Sequence, residues 1–134
     1  MFSEYFQKRD KKKILVVDDD PINQCILATI LNAWNFSTEF SGNGIKAIEY
    51  LRQQTCDLIL MDIEMPELNG FDATSRIRQE LRLKTPIIAV SANSAPADIQ
   101  KAFDCGMDEY VGKPVDPENL KSAIRRHLES VYLV

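Results

Sequence analysis

Only one histidine, His127, occurs among the 134 residues. That scarcity excludes a zinc site built on two histidines and disfavours a histidine-activated nucleophile. The three cysteines, Cys25, Cys56 and Cys105, are odd in number, far apart and set among apolar residues. A structural disulfide is not expected, and they read as reduced core residues. No apolar run approaches the length of a membrane span, and Met1-Phe2-Ser3-Glu4-Tyr5 lacks the form of a signal peptide. Membrane insertion is excluded on this reading and a cytoplasmic location is expected. Basic residues are short too: 16 Lys and Arg against 20 Asp and Glu leave a net charge of −4. A surface of that sign argues against direct nucleic-acid binding, which needs a basic face for the phosphates. Repeats, low-complexity segments and internal linkers are absent as well. What is present, 45% hydrophobic residues against 27% charged, suffices for one core in a single domain of this length.

Residues 1–12 show no clear periodicity, and the basic cluster Lys8-Arg9 with Lys11-Lys12-Lys13 reads as a solvated lead-in, so the tail is taken as 1–12 and the domain as 13–134. Ile14-Leu15-Val16-Val17 is a short, wholly apolar run, suited to a parallel strand covered on both faces, and it ends in Asp18-Asp19-Asp20. Pro21 fits the first turn of a helix capped by Asp20 or Asp19. Ile22, Ile26, Ile30 and Ala33 share one face of that helix, broadened by Leu27, Leu31 and Trp34, which predicts deep packing to about Asn35. Ser37 to Phe40 is a weaker strand, closed by the turn cluster Ser41-Gly42-Asn43-Gly44. A helix follows through Ile45, Ile48 and Leu51. Leu58-Ile59-Leu60-Met61 is a second strong buried strand, delivering Asp62 into a turn. Phe71 to Leu81 reads as helix, Pro86 to Val90 as strand ending in Ser91, and Ala95 to Phe103 as a helix anchored mainly by Ile99 and Phe103. With so few large apolar residues it should be the least firmly held. Glu109-Tyr110-Val111 is a short last strand ending in Gly112-Lys113-Pro114. Asp116-Pro117-Glu118 opens a final helix whose inner stripe is Leu120, Ile124, Leu128 and Val131.

Strand then helix, five times over, calls for one parallel sheet with helices on both faces. Strands of a parallel sheet all end on one edge, where ligands bind. That edge collects Asp18 and Asp19, Asp62, Ser91 and Lys113. Taken singly, each has an ordinary explanation: acids at a helix N-terminus, a loop aspartate, a serine cap, a surface lysine, and for Tyr110 a core aromatic. Together, three crowded carboxylates would drive one to take up a proton unless a cation sat among them. Oxygen-only ligands favour Mg²⁺, which takes one or two carboxylates plus substrate phosphate oxygens. Lys113 adds a fixed positive charge and Ser91 a hydroxyl donor. Such a set describes phosphoryl transfer, which depends on positioning and charge neutralisation.

In the same order, Val16-Val17-Asp18-Asp19, Met61-Asp62 with Met65-Pro66 and Gly70, Ser91-Ala92 and Lys113-Pro114 resemble the receiver domain of two-component response regulators. The resemblance covers about residue 12 to the end. Asp18-Asp19-Asp20-Pro21-Ile22-Asn23-Gln24 is most similar to receivers fused to hybrid histidine kinases. The resemblance implies a flavodoxin-like (βα)5 fold with strand order 2-1-3-4-5. It also implies a role for each residue. Asp62 is the phosphoacceptor, receiving its group from a histidine kinase, a histidine-phosphotransfer protein or a small acyl phosphate. Asp19, Asp62 and the backbone carbonyl of Glu64 hold Mg²⁺, with Asp18 acting through water. Lys113 pairs with Asp62 and then with the phosphoryl oxygens, Ser91 hydrogen-bonds the phosphoryl group, and Ala92 leaves access. Tyr110 turns inward as Ser91 moves, reshaping the surface of the fourth helix, fifth strand and fifth helix. The Lys113-Pro114 bond is expected to be cis. Ser91 stands where the family often has Thr. Glu64 and Asn93 occupy positions that vary and influence hydrolysis of the aspartyl phosphate, and the Glu64 side chain places a fourth acid beside the site.

The function expected is a phosphorylation-controlled switch: a phosphoacceptor that assists its own phosphorylation and dephosphorylation, not a turnover enzyme. With no output domain after the last helix, it would act on a downstream effector protein or by phosphorylation-dependent dimerisation. A start at Met1 favours a free-standing regulator. One alternative is a Mg²⁺-dependent aspartyl-nucleophile phosphohydrolase, with Glu64 as the second acid, although the chain is short for a substrate-covering cap. Another is a non-phosphorylated docking module, against which the complete Asp19, Asp62, Ser91 and Lys113 set argues. A flavin domain shares the fold class, but three acids after the first strand would repel the cofactor's phosphate.

Overall fold

The computed structural model describes residues 11–128. The tail expected over 1–12 lies, up to Asp10, outside them, as does Val131. Ten elements alternate without exception: β1 (Lys13–Val17), α1 (Pro21–Ala33), β2 (Ser37–Ser41), α2 (Gly44–Gln53), β3 (Leu58–Asp62), α3 (Gly70–Gln79), β4 (Ile87–Ser91), α4 (Pro96–Cys105), β5 (Glu109–Gly112) and α5 (Pro117–Leu128). The five strands form one sheet in the order β2-β1-β3-β4-β5, every pair parallel. The flavodoxin-like topology is therefore the one observed.

Why the strong strands are apolar throughout is plain from their two faces. Successive side chains point to opposite sides of a strand. Leu15, Val17, Ile59, Met61, Ile87 and Ala89 pack with Ala47, Ile48 and Leu51 of α2, Phe71, Ala73 and Ile77 of α3, and Ala102 of α4. Ile14, Val16, Leu58, Leu60, Ile88, Val90 and Val111 face the other way, against Leu27 and Leu31 of α1 and Leu120, Ala123, Ile124 and Leu128 of α5. With helices on both sides, β1, β3 and β4 have no solvent face. Asp18 and Asp62 fall on the same parity as Val16 and Leu60, and Ser91 on that of Ala89.

Three sequence expectations need correcting. In α1 the buried residues are Leu27 and Leu31, whereas Ile22 is 69% and Ile26 50% exposed. At 3.6 residues per turn, centring the inner stripe on Leu27 and Leu31 turns Ile22, Ile26 and Ala33 outward. The same rotation exposes Cys25, which is thus no core residue, while Cys56 and Cys105 are half-buried free thiols. In α4 the buried anchor is Ala102, with Phe103 45% exposed. That helix also lacks a side-chain cap, since Ala95 occupies the N-cap. By contrast, Asp20, Asn43 and Asn69 cap α1, α2 and α3 through Ile22, Lys46 and Asp72 N–H.

Candidate functional site

Chain order places strand 1 at the point where the sheet reverses: β2 lies on one side of it and β3 on the other. A crevice opens beyond the strand ends at such a point. Here it is a cleft of about 530 Å³ lined by Asp18, Asp19, Asp20, Pro21, Asn23, Asp62, Glu64, Ala92 and Lys113. Asp62 terminates β3, opposite Val90 in register, and is only 4% exposed. Its Oδ1 lies 3.3 Å from Lys113 Nζ and accepts the Glu64 backbone N–H at 3.2 Å. Lys113 Nζ also approaches Asp18 Oδ2, at 3.6 Å. One ammonium therefore spans two nearly buried carboxylates.

Local structure fixes each group. Asp18 Oδ1 accepts the Asp20 N–H at 2.9 Å, and Asp18's own carbonyl accepts the Gln24 side-chain amide at 2.6 Å, tying the acidic turn to α1. Gly70 at the start of α3 sits against the end of β3. Its N–H donates to the Ile63 carbonyl at 2.8 Å, and a Cβ there would lie 2.4 Å from the Asp62 carbonyl oxygen. Only glycine permits that approach. The Lys113 N–H donates to the Ser91 carbonyl at 2.8 Å, and the Lys113-Pro114 peptide is cis.

The charge balance is strained in one direction. Burial raises the Asp62 carboxyl from an ordinary 3.8 to about 6; Lys113 opposes this and Asp18 adds to it. For Lys113, burial works to lower the ammonium, but the charges of Asp62 and Asp18 outweigh it and the net shift is upward. Carboxylate oxygens of Asp18, Asp19 and Asp62 all lie within 4.8 Å of one another. An all-oxygen set this compact, beside a single ammonium, suits a hard divalent cation.

Ser91 is 1% exposed at the end of β4. Its hydroxyl donates to Glu64 Oε1 at 2.8 Å and accepts the Asn93 N–H at 3.1 Å. Asn93 in turn caps Ala95 N–H through Oδ1 and reaches Asp98 in the first turn of α4 at 2.7 Å. Sequence reasoning found Ser91 but missed this chain, because nothing in residue type reveals which rotamer Glu64 adopts. Tyr110 pairs in register with Ala89, on Ser91's side of the sheet, and its hydroxyl is buried without a hydrogen-bond partner among the described residues.

Comparison with known proteins follows the same lines. The family profile described as "Response regulator receiver domain" matches residues 14–125. The sensor histidine kinase RcsC of Salmonella typhi is 36% identical over 122 residues, covering 91% of this chain. The hybrid signal transduction histidine kinase E of Dictyostelium discoideum is 38% identical over 119 residues, covering 85%. The chain spans only 13% and 7% of those two proteins. Among solved structures, the receiver domain of the Pseudomonas aeruginosa sensor histidine kinase PA1611 is similar with a TM-score of 0.79 and 33% identity, over 87% of this chain and 97% of that one. That structure is described with a magnesium ion coordinated in its active-site cleft. The Vibrio cholerae chemotaxis protein CheY4 is similar with a TM-score of 0.83 and 26% identity, over 88% and 99% of the two chains.

Proposed function

This chain belongs to the response regulator receiver family of two-component signalling, and on that premise we propose that it is a phosphorylation-controlled switch with Asp62 as its phosphoacceptor. Asp62, buried at the end of β3 and held by Lys113 at 3.3 Å beside Asp18 and Asp19, carries this reading. A carboxylate oxygen of Asp62 attacks phosphorus. The bond between phosphorus and the donor breaks, and its electron pair leaves on the imidazole of a phosphohistidine or on a small carboxylate. The donor is a histidine kinase or a histidine-phosphotransfer protein.

Asp19, Asp62 and the Glu64 backbone carbonyl would hold Mg²⁺, with Asp18 acting through water; when bound, the ion offsets the carboxylates' mutual repulsion and the charge gathering on the transferring group. Lys113 leaves Asp62 for a phosphoryl oxygen, and Ser91 turns its hydroxyl to another. Ala92 is exposed at the cleft and has no bulk to close it. Ser91 and Tyr110 share one side of neighbouring strands, so repositioning Ser91 shifts the packing available to Tyr110 and hence the surface of α4, β5 and α5. That surface binds a downstream effector or a second phosphorylated copy. The phosphoryl group biases this two-state element only through its better contacts in one state. The protein assists its own phosphorylation and dephosphorylation and turns over no external substrate. Among the described residues no helix is long and apolar enough to cross a membrane, and a cytoplasmic location suits the donor chemistry.

Intact-protein mass spectrometry after incubation with acetyl phosphate and Mg²⁺ tests the proposal. One phosphoryl adduct is expected on the wild type, absent with EDTA and absent in Asp62→Asn. An equal adduct on Asp62→Asn would remove Asp62 from its role.

A further inference from the structure

The switch reading assigns the Ser91 hydroxyl to an incoming phosphoryl oxygen, and in this structure that hydroxyl is already engaged. A serine hydroxyl has a single O–H to donate. Here that proton goes to Glu64 Oε1, at 2.8 Å, while the Asn93 N–H occupies one of the oxygen's acceptor positions at 3.1 Å. Glu64 lies two residues beyond Asp62 and is anchored there by its backbone N–H to Asp62 Oδ1. Its carboxylate crosses from the end of β3 to the end of β4.

We propose that the Glu64 side chain is a latch: it holds the Ser91 hydroxyl in the unphosphorylated arrangement and must release it before Ser91 can bind the phosphoryl group. The inference rests on the switch reading above and deepens it. Two anions, the Glu64 carboxylate and the phosphoryl group, compete for one proton donor, and hydrogen bonds to charged acceptors are the strong ones. Glu64 is exposed, so its carboxylate can swing into water once displaced. Release also frees the Ser91 oxygen to move relative to Asn93. Because Asn93 holds Ala95 N–H and Asp98, that motion reaches the first turn of α4, which has no cap of its own. Glu64 is thus a positioning residue acting through Ser91.

A double-mutant cycle separates the latch from simple charge repulsion. Initial rates of adduct formation with acetyl phosphate and Mg²⁺ are measured for wild type, Glu64→Ala, Ser91→Ala and the double variant. Glu64→Ala is expected to accelerate phosphorylation by about ten-fold, the size of one hydrogen bond to a charged group. In the Ser91→Ala background the same change is expected to alter the rate by less than about two-fold. An equal gain in both backgrounds overturns the latch, leaving only charge. Glu64→Gln, which keeps an acceptor oxygen for Ser91, is expected to fall between. A second readout needs no phosphoryl chemistry: Glu64→Ala should move the Asn93 amide resonance of the metal-free protein, because the oxygen it donates to has lost its partner. An unmoved resonance overturns the proposal. A wild type that takes up no phosphoryl group, either from acetyl phosphate or from a phosphohistidine donor protein, while the Asn93 resonance does move, would sink the switch reading instead, with the Ser91–Glu64 contact intact.

Discussion

Replacing Asp62 by Asn is expected to stabilise the metal-free protein at neutral pH and not in acid. Asp62 is nearly buried, and its carboxyl is raised from 3.8 to about 6, by burial first and by Asp18, against the pull of Lys113. A carboxyl whose folded-state pKa lies above its unfolded value binds its proton more tightly when folded. Its favourable contribution is complete below about pH 4 and is lost as the pH rises through about 6. Each unit corresponds to about 1.4 kcal/mol, so the ionised side chain costs roughly 3 kcal/mol above that window. Asn mimics the protonated acid and escapes the cost, while Lys113 keeps Asp18 as a partner at 3.6 Å. Asp62→Asn is therefore expected to match wild type near pH 4 and to exceed it by about 2–3 kcal/mol at pH 7.5, a rise in Tm on the order of 10 °C. Urea and thermal unfolding in EDTA, followed by the single tryptophan, Trp34, would measure the difference across that range. Every other titrating group is common to both proteins and largely cancels. Saturating Mg²⁺ should stabilise wild type alone and close most of the gap. A difference that is flat with pH, or a variant less stable than wild type at pH 7.5, would refute the reasoning by showing that the Lys113 attraction outweighs burial.

Asp19→Ala removes one of three clustered carboxylates and is expected to weaken Mg²⁺ binding at least about ten-fold in a calorimetric titration; an unchanged titration excludes Asp19 as a ligand. Gly70→Ala places a Cβ 2.4 Å from the Asp62 carbonyl oxygen and 2.8 Å from Ile63 Cα, so the β3–α3 junction must shift. About 1–3 kcal/mol of stability and most of the phosphorylation rate should be lost, measured by urea unfolding and by adduct formation. Arg78→Ala strips hydrogen bonds from the carbonyls of Gly106, Leu83 and Thr85 and an ion pair from Asp108. With its guanidinium gone, unfolding in urea should show a loss of about 2 kcal/mol, with Mg²⁺ affinity unchanged.

Much of this molecule is legible in residue order. The runs Ile14 to Val17, Leu58 to Met61 and Ile87 to Val90 are apolar because helices cover both their faces, and each ends in a functional group because all five strands run the same way. Helix starts were legible where a side chain caps them, as at Asp20. What misled was amphipathicity with two candidate stripes. In α1 Ile22 and Ile26 lie on a different side from Leu27 and Leu31, and residue type alone does not say which stripe meets the sheet. Phe103 misled similarly, since it is large enough to look like an anchor while Ala102 is the residue that fits.

Sequence alone determined the alternation of strand and helix, and with it the gathering of Asp18, Asp19, Asp62, Ser91 and Lys113 on one edge, because parallel strands put their C-terminal ends together whatever the side chains do. Tertiary structure alone decided how those groups pair. That Lys113 spans Asp18 and Asp62, that burial lifts Asp62 to about 6, and that Glu64 holds the Ser91 hydroxyl depend on ångström distances and on exclusion of water. Electrostatic and hydrogen-bond energies change steeply with both, and neither is written in the order of residues.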